Sequence, residues 1–382
     1  MEEVSVVGKK VFVIFSMLLG LVLFSVSVQA ADLPVVNWSP NVFSIDGEVS
    51  GEHLLDDAAR QEIVQAISMK LQKLQQEGRL PFQLKEVSTE INASFNEDSP
   101  IGLIPIVVAD MSFDSAYRIG EQSYYKSMII SGLDLAFCAG DEESHSWRIL
   151  GMIPLRYYDT AGSDPRHLLT GELTPEQKSQ LYARITRAGI EKGLDFRKAK
   201  SLLRNLETRS VSPDTYQVTE VEITSRKASE LYGDRIPQIK NLLGGFFTSS
   251  YEEKTQHVVY PARTGDAWKN DVSQNLFSMQ LNSPAGSLEV SMEAPKHSIQ
   301  LELTGIAQGD VQMKQVSDVQ KNIAYKVWLK KTPVEGSEQA VVTPGTVRQY
   351  SKLDETAIQI DPTDVFTELL IEAAKDLGNQ KI

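Results

Sequence analysis

The order of hydrophobic periods constrains this chain more than any single residue does. LLDDAARQEIVQAISMKLQKL places Leu55, Ala59, Ile63, Ile67, Leu71 and Leu74 at three- and four-residue spacing, the stripe of an amphipathic helix closed by Gly78 and Pro81. PFQLKEVSTEI then reads as a short strand, and GLIPIVVADMSF as a stronger, β-branched one. YYKSMIISGLDLAFC alternates, with Leu133, Leu135 and Phe137 on one face, and WRILGMIPLRYYDT follows at hairpin spacing. Thr174 as cap, Pro175 at the first helical position and Gln177 three residues past the cap begin a second helix, with Leu181, Tyr182, Ile185 and Ile190 as its stripe. A break near Gly193 separates it from the helical DFRKAKSLLRNLE.

The second half repeats this order. A helix carrying Leu231, Ile236, Ile239, Leu242 and Leu243 is interrupted or restarted at Pro237, and strands are expected in NLFSMQL, SLEVSME, SIQLELTGIA, VQMKQVSD and NIAYKVWLKK. TVRQYSKLDE follows, and Asp361 and Pro362 start a closing helix. One constant shift sets Leu133, Leu135 and Phe137 on Tyr325, Val327 and Leu329, and Arg156 and Tyr158 on Arg348 and Tyr350. A smaller shift sets Leu181, Tyr182 and Ile185 on Val365, Phe366 and Leu369. The expected fold class is therefore α+β: two similar units, 31–210 and 211–382, each an antiparallel sheet with amphipathic helices packed on one face, joined near ETRSVSPDT. Such a correspondence suggests an internal duplication.

Residues 1–30 follow a different grammar. Lys9 and Lys10 precede VFVIFSMLLGLVLFSVSV, and Val28 and Ala30 are the small residues a signal peptidase reads. A cleaved signal, with export to the periplasm or the outer-membrane periphery of a bacterial envelope, is the expectation; the alternative is an uncleaved amino-terminal anchor. Glu2, Glu3, Lys9 and Lys10 cancel, so the mature chain keeps the net charge of -13, which excludes bulk attraction to nucleic acid. With one cysteine in 382 residues, no intramolecular disulfide and no cysteine-based zinc site can form.

In the same order of elements, the amphipathic helix, the antiparallel strands ending in NIAYKVWLKKTPVEG and TVRQYSKLDE, and the closing DPTDVFTELLIEAAKDLG resemble the amino-terminal domain of the periplasmic TolB family. Related domains of curli-secretion and FlgT-type flagellar-assembly proteins share that layout. The resemblance implies a non-enzymatic interaction or assembly component with protein partners in the cell envelope. It departs at the start, where such domains open with an apolar strand and this chain has VFSIDGEVSG.

Catalytic grammar is sparse. Cys138 lies at a strand end beside Asp141, Glu142, Glu143 and His145, and carboxylates raise a thiol pKa, so it reads as a semi-buried small hydrophobe. The acids with His145 read as a hairpin loop, since neighbouring residues diverge and no EF-hand spacing occurs. His53, His145, His167, His257 and His297 show no zinc spacing, and neither a nucleophile elbow nor a phosphate loop is present. Gly244 and Gly245, among Leu242, Leu243, Phe246 and Phe247, read as a helix end with an apolar staple. No catalytic residue, metal or cofactor is therefore assigned. One stretch runs against the acidic whole: Arg184, Arg187, Lys192, Arg197, Lys198, Lys200 and Arg204 form a basic face that could meet an acidic partner or a membrane surface. A secreted hydrolase with dispersed carboxylates, and a small-ligand or polysaccharide module with an aromatic groove around Tyr157, Tyr158 or Trp328, are the rival readings.

Overall fold

The computed structural model describes residues 33–45, 54–86, 101–119, 121–141, 146–164, 166–196, 200–211, 214–263, 269–271, 276–311, 322–333, 341–344, 358–359 and 361–380. Val35–Ile382 forms one compact unit. It is α+β, with two sheets.

The first sheet begins with β1 (Val35–Trp38) and β2 (Phe43–Ile45). Helix α1 (Asp57–Gln76) follows, capped by the Asp56 carboxylate, which accepts from the Ala59 amide at 2.7 Å. Ala59, Ile63, Ile67, Leu71 and Leu74, all expected on its apolar stripe, are buried. Then come β3 (Gln83–Glu86) and three long strands, β4 (Ile101–Ile119), β5 (Gln122–Asp141) and β6 (Ser146–Ala161). Helix α2 (Pro175–Gly193) starts at the full capping box read from Thr174 and Gln177 and stops where Gly193 was expected to break it; α3 (Lys200–Thr208) follows.

The second sheet opens with β7 (Thr215–Ile223), and α4 (Arg226–Tyr232) leads through a short 3-10 turn to α5 (Ile236–Thr255), with Pro237 in its first turn. Then follow β8 (Val258–Val259), β9 (Lys269–Asp271), β10 (Leu276–Ser283), β11 (Gly286–Glu293), β12 (His297–Val311), β13 (Asn322–Pro333), β14 (Val341–Pro344) and β15 (Ile358–Gln359), of which β9, β10, β11 and β15 join the first sheet. Helix α6 (Pro362–Gly378) closes the chain on the Asp361 cap, whose carboxylate accepts from the Thr363 amide at 2.9 Å.

The two sheets share one topology. The path β6-β5-β4-β1-β3 in the first has the same order as β14-β13-β12-β7-β8 in the second. In each, the first two pairings are antiparallel and the last two parallel. A helix joins each outer parallel pair, α1 in one and α5 in the other, and β4 and β12 both carry a bulge, at Val107/Ala109 and Leu303/Gly305. Leu133, Leu135 and Phe137 on β5, and Tyr325, Val327 and Leu329 on β13, are buried in equivalent strands; so are Leu181, Tyr182 and Ile185 on α2 and Val365, Phe366 and Leu369 on α6. Arg348, Tyr350 and most of VQMKQVSD lie outside the described residues.

Three expectations need correction. The sheets are mixed rather than antiparallel, because a helix returning the chain to the same end of a sheet delivers a parallel neighbour. Helices cover both faces of the long strands: α2 meets the face of Ser131, where the Ser131 and Thr186 hydroxyls lie 2.6 Å apart, while α5 lies over Arg156 on the other. The Gly244-Gly245 pair is interior to α5 and not its end. A Cβ on Gly245 would stand 2.8 Å from Arg156 Nε, so the glycine is required by close approach and its helical cost is offset by packing.

The strands also cross the expected boundary near residue 210. β11 pairs with β6 in parallel, and β10 pairs with β2, which in turn pairs with β4. The route β2-β10-β11-β6-β5-β4 therefore returns to β2 and closes a ring.

Candidate functional site

Beyond Arg148, the edge of β6 turned away from β5 carries no strand among the described residues, since its pairing with β11 is confined to Trp147 and Arg148. Along that edge lies a cleft of about 520 Å³. Ile153–Tyr157 form its floor, Lys192, Gly193 and Asp195 one wall, and Phe246, Ser249, Ser250, Glu252 and Glu253 of α5 the other. Lys375 of α6 and the following Asn379 complete it. A volume in the ~300–1,000 Å³ range admits a small molecule, and most of the walls of this one are charged or polar.

The floor is fixed by a buried ion pair. Arg156 stands opposite Gly132 on β5, one pair along from Asp134 on the same face. Its Nη1 donates to Asp134 Oδ1 at 2.5 Å and to the Leu133 and Leu155 carbonyls at 3.2 and 3.1 Å. Both side chains are buried. Arg156 Nε and Asp134 Oδ2 have no hydrogen-bond partner among the described residues. Gly132 lets β4 approach on the other side, for a Cβ there would meet the Ala109 Cβ at 2.8 Å.

Tyr157, on the alternate face, wedges against α2: a Cβ on Gly189 would lie 2.0 Å from its ring and one on Gly193 2.1 Å from its hydroxyl. Burial raises its phenol above the ordinary range. On the far wall the Lys375 ammonium sits 4.8 Å from the Tyr158 ring centre and 4.9 Å from that of Phe246. Burial lowers its pKa, against a smaller opposing effect of Glu372. Glu252 is half-buried and its carboxyl is pushed well above the usual range, first by burial and then by repulsion from Asp134 and Glu253. Ser249 Oγ donates to the Pro154 carbonyl at 3.2 Å, tying α5 to the floor.

Of the basic face read from sequence, Lys192 alone among the described residues lines this cleft. Arg184 and Arg187 are exposed on α2, with Arg187 Nε bound to Glu191 at 3.2 Å; Lys200 and Arg204 are exposed on α3. Arg197 and Lys198 lie outside the described residues, as do His53, Glu142, Glu143 and His145. Cys138 is fully rather than semi-buried in β5, and that burial pushes its thiol up to about 12. His167 is exposed beside Asp164, whose carboxyl Arg166 holds at about 2. His257 and His297 flank the Tyr216 ring, with centres 4.9 and 4.5 Å away. Trp328 packs over Gly305 in the second sheet. Among the described residues no group of three or more His, Cys, Asp or Glu side chains is placed to hold a metal ion.

Sequence reading missed Glu252, Phe246 and Lys375. The available signal was the polar SSYEEK ending an otherwise apolar helix, and an i,i+3 Glu372–Lys375 pair on another.

No family model matches the chain, and no curated protein matches it. Among solved structures it is similar to a protein from Helicobacter pylori described as a neuraminyllactose-binding hemagglutinin homolog, with 11% identity and a TM-score of 0.29, covering 47% of this chain and 91% of that one.

Proposed function

We propose that the chain is an exported bacterial envelope protein that works by binding, with the cleft between β6, α2, α5 and α6 as its ligand site. The observation that carries this is the cleft itself: about 520 Å³ along a strand edge, floored by Tyr157 and a buried Arg156–Asp134 pair and walled by Phe246 and Lys375. Rigid strand and helix positions hold each of these groups, as a preorganised binding site requires. The apolar run at residues 11–28, with Val28 and Ala30 after it, supports export. Among the described residues no helix is long and apolar enough to cross a membrane. The test is thermal denaturation of the purified mature chain against a panel of small polar metabolites and saccharides, with Phe246→Ala as the cleft variant. Binding by the wild type that Phe246→Ala weakens supports the reading; an unshifted melting temperature with every compound opposes it.

A secreted hydrolase is favoured by one observation, the raised Glu252 carboxyl at the cleft wall, which suits a general acid. Turnover of chromogenic glycosides or esters by the wild type, abolished in Glu252→Gln, would establish that reading instead.

A further inference from the structure

Resting on the cleft as a ligand site, we propose that it is built for a small organic carboxylate, and that Lys375 is the charge partner of the ligand. Three cations, Arg156, Lys192 and Lys375, and three carboxylates, Asp195, Glu252 and Glu253, line the cleft, but they are not paired with one another one to one. Arg156 is spent on Asp134 at 2.5 Å, and Asp195 stands 3.9 Å from Arg79. Lys375 and Lys192 have no carboxylate oxygen within ion-pair distance among the described residues, and Lys375 is in contact instead with the faces of Tyr158 and Phe246.

An ammonium held between two rings at the wall of a cleft keeps its charge but has surrendered part of its hydration. A carboxylate entering the cleft restores that loss with a charge-assisted hydrogen bond. The remaining polar lining also donates: Ser250, Asn379 and the Tyr157 hydroxyl line the same space. Glu252, on the α5 wall with Phe246, is shifted toward its neutral, hydrogen-bond-donating form by burial beside Asp134 and Glu253, so it opposes an anion less than its residue type suggests. Glu253 lies at the exposed end of that wall, where solvent screens it.

The test pairs compounds of equal shape and different charge: gluconate against glucose, and N-acetylglycine against its amide, titrated into the full mature chain by ligand-observed NMR and calorimetry. The expected result is that the carboxylates bind and their neutral partners bind at least about 10-fold more weakly. In Lys375→Met the carboxylates should lose about 10- to 100-fold in affinity, the loss of one charged hydrogen bond. Lys375→Arg, which keeps the charge, should retain most of the binding. Circular dichroism and an unchanged melting temperature show that each variant is folded. Equal binding of charged and neutral partners, unaffected by Lys375→Met, overturns the carboxylate assignment and leaves the cleft a ligand site. Binding of none of the four compounds to the wild type also overturns the carboxylate assignment, while the ligand site itself is decided by the wider panel.

Discussion

Removing the cation beneath the cleft floor should be among the most damaging single changes to this fold. Arg156 and Asp134 have side chains 4% and 0% exposed, joined at 2.5 Å. Arg156→Met keeps the length and volume of the stem but leaves the Asp134 carboxylate buried without its counter-ion, a change that costs about 3–5 kcal/mol. Two carbonyls, of Leu133 and Leu155, lose a donor at the same time. With a urea slope of roughly 3 kcal/mol per molar for a chain this large, the midpoint should fall by about 1–2 M. Asp134→Val should be comparably harmful, because it strands the guanidinium. The double variant Asp134→Val/Arg156→Met should recover most of the loss, since a buried ion pair is worth little more than the apolar residues that could replace it. Unfolding can be followed by fluorescence, as Trp38 is buried in the core of the first sheet, and by circular dichroism. A midpoint shift below about 0.3 M for Arg156→Met, or strict additivity in the double variant, would refute the claim that each charge is held in place by the other.

Asp110 supplies a pH test. Burial raises its carboxyl to about 7 against the opposing amides of Leu55 and Leu54, so the native state holds a proton that the unfolded chain releases near pH 3.8. Its stabilising contribution is present at low pH and is lost as the pH rises from about 4 to 7; Asp110→Asn should therefore gain stability relative to wild type across that window, measured as the difference in urea midpoint. Lys331 gives the mirrored case at high pH. Its buried Nζ donates to the Leu377 and Gln380 carbonyls at the end of α6, and burial lowers it to about 8. The wild type should then gain on Lys331→Met as the pH rises from about 8 toward 10.5. Gly245→Ala, favourable by helix propensity, should instead destabilise by about 1–3 kcal/mol through its clash with Arg156, and calorimetric melting of the two forms decides the sign.

Elements whose local chemistry agrees with their packing were legible in the sequence. Thr174, Pro175 and Gln177 announce α2, and Asp361 with Pro362 announces α6, because capping is settled within four residues. β7 was not read as a strand, although TYQVTEVEI is rich in β-formers. Its alternation is broken by a register shift between Ile299 and Gln300 of its partner, and by Gln217, buried because its amide donates to the Pro261 carbonyl at 2.8 Å. The shared order of the halves was visible as an order of periods, and the two sheets repeat one strand order. The cleft was not visible, since β6, α2, α5 and α6 meet only in three dimensions; Arg156 was noticed for its place in a repeat, not for Asp134 beneath it.

The ring of strands has a consequence for how the chain can acquire its structure. β2 meets β10 at Ser44 and Asn282, a contact between segments 238 residues apart. The first half therefore cannot finish its own sheet from its own sequence: until β10 and β11 arrive, the edges of β2 and β6 stand open, ready to pair with any passing strand. A fragment ending near residue 210 should accordingly associate with itself rather than fold alone, while adding a separate peptide that spans β10 and β11 should return it to solution. Synthesis from the amino terminus makes β10 and β11 the last strands of the ring to be available, so closure waits until the chain has been made as far as Glu293.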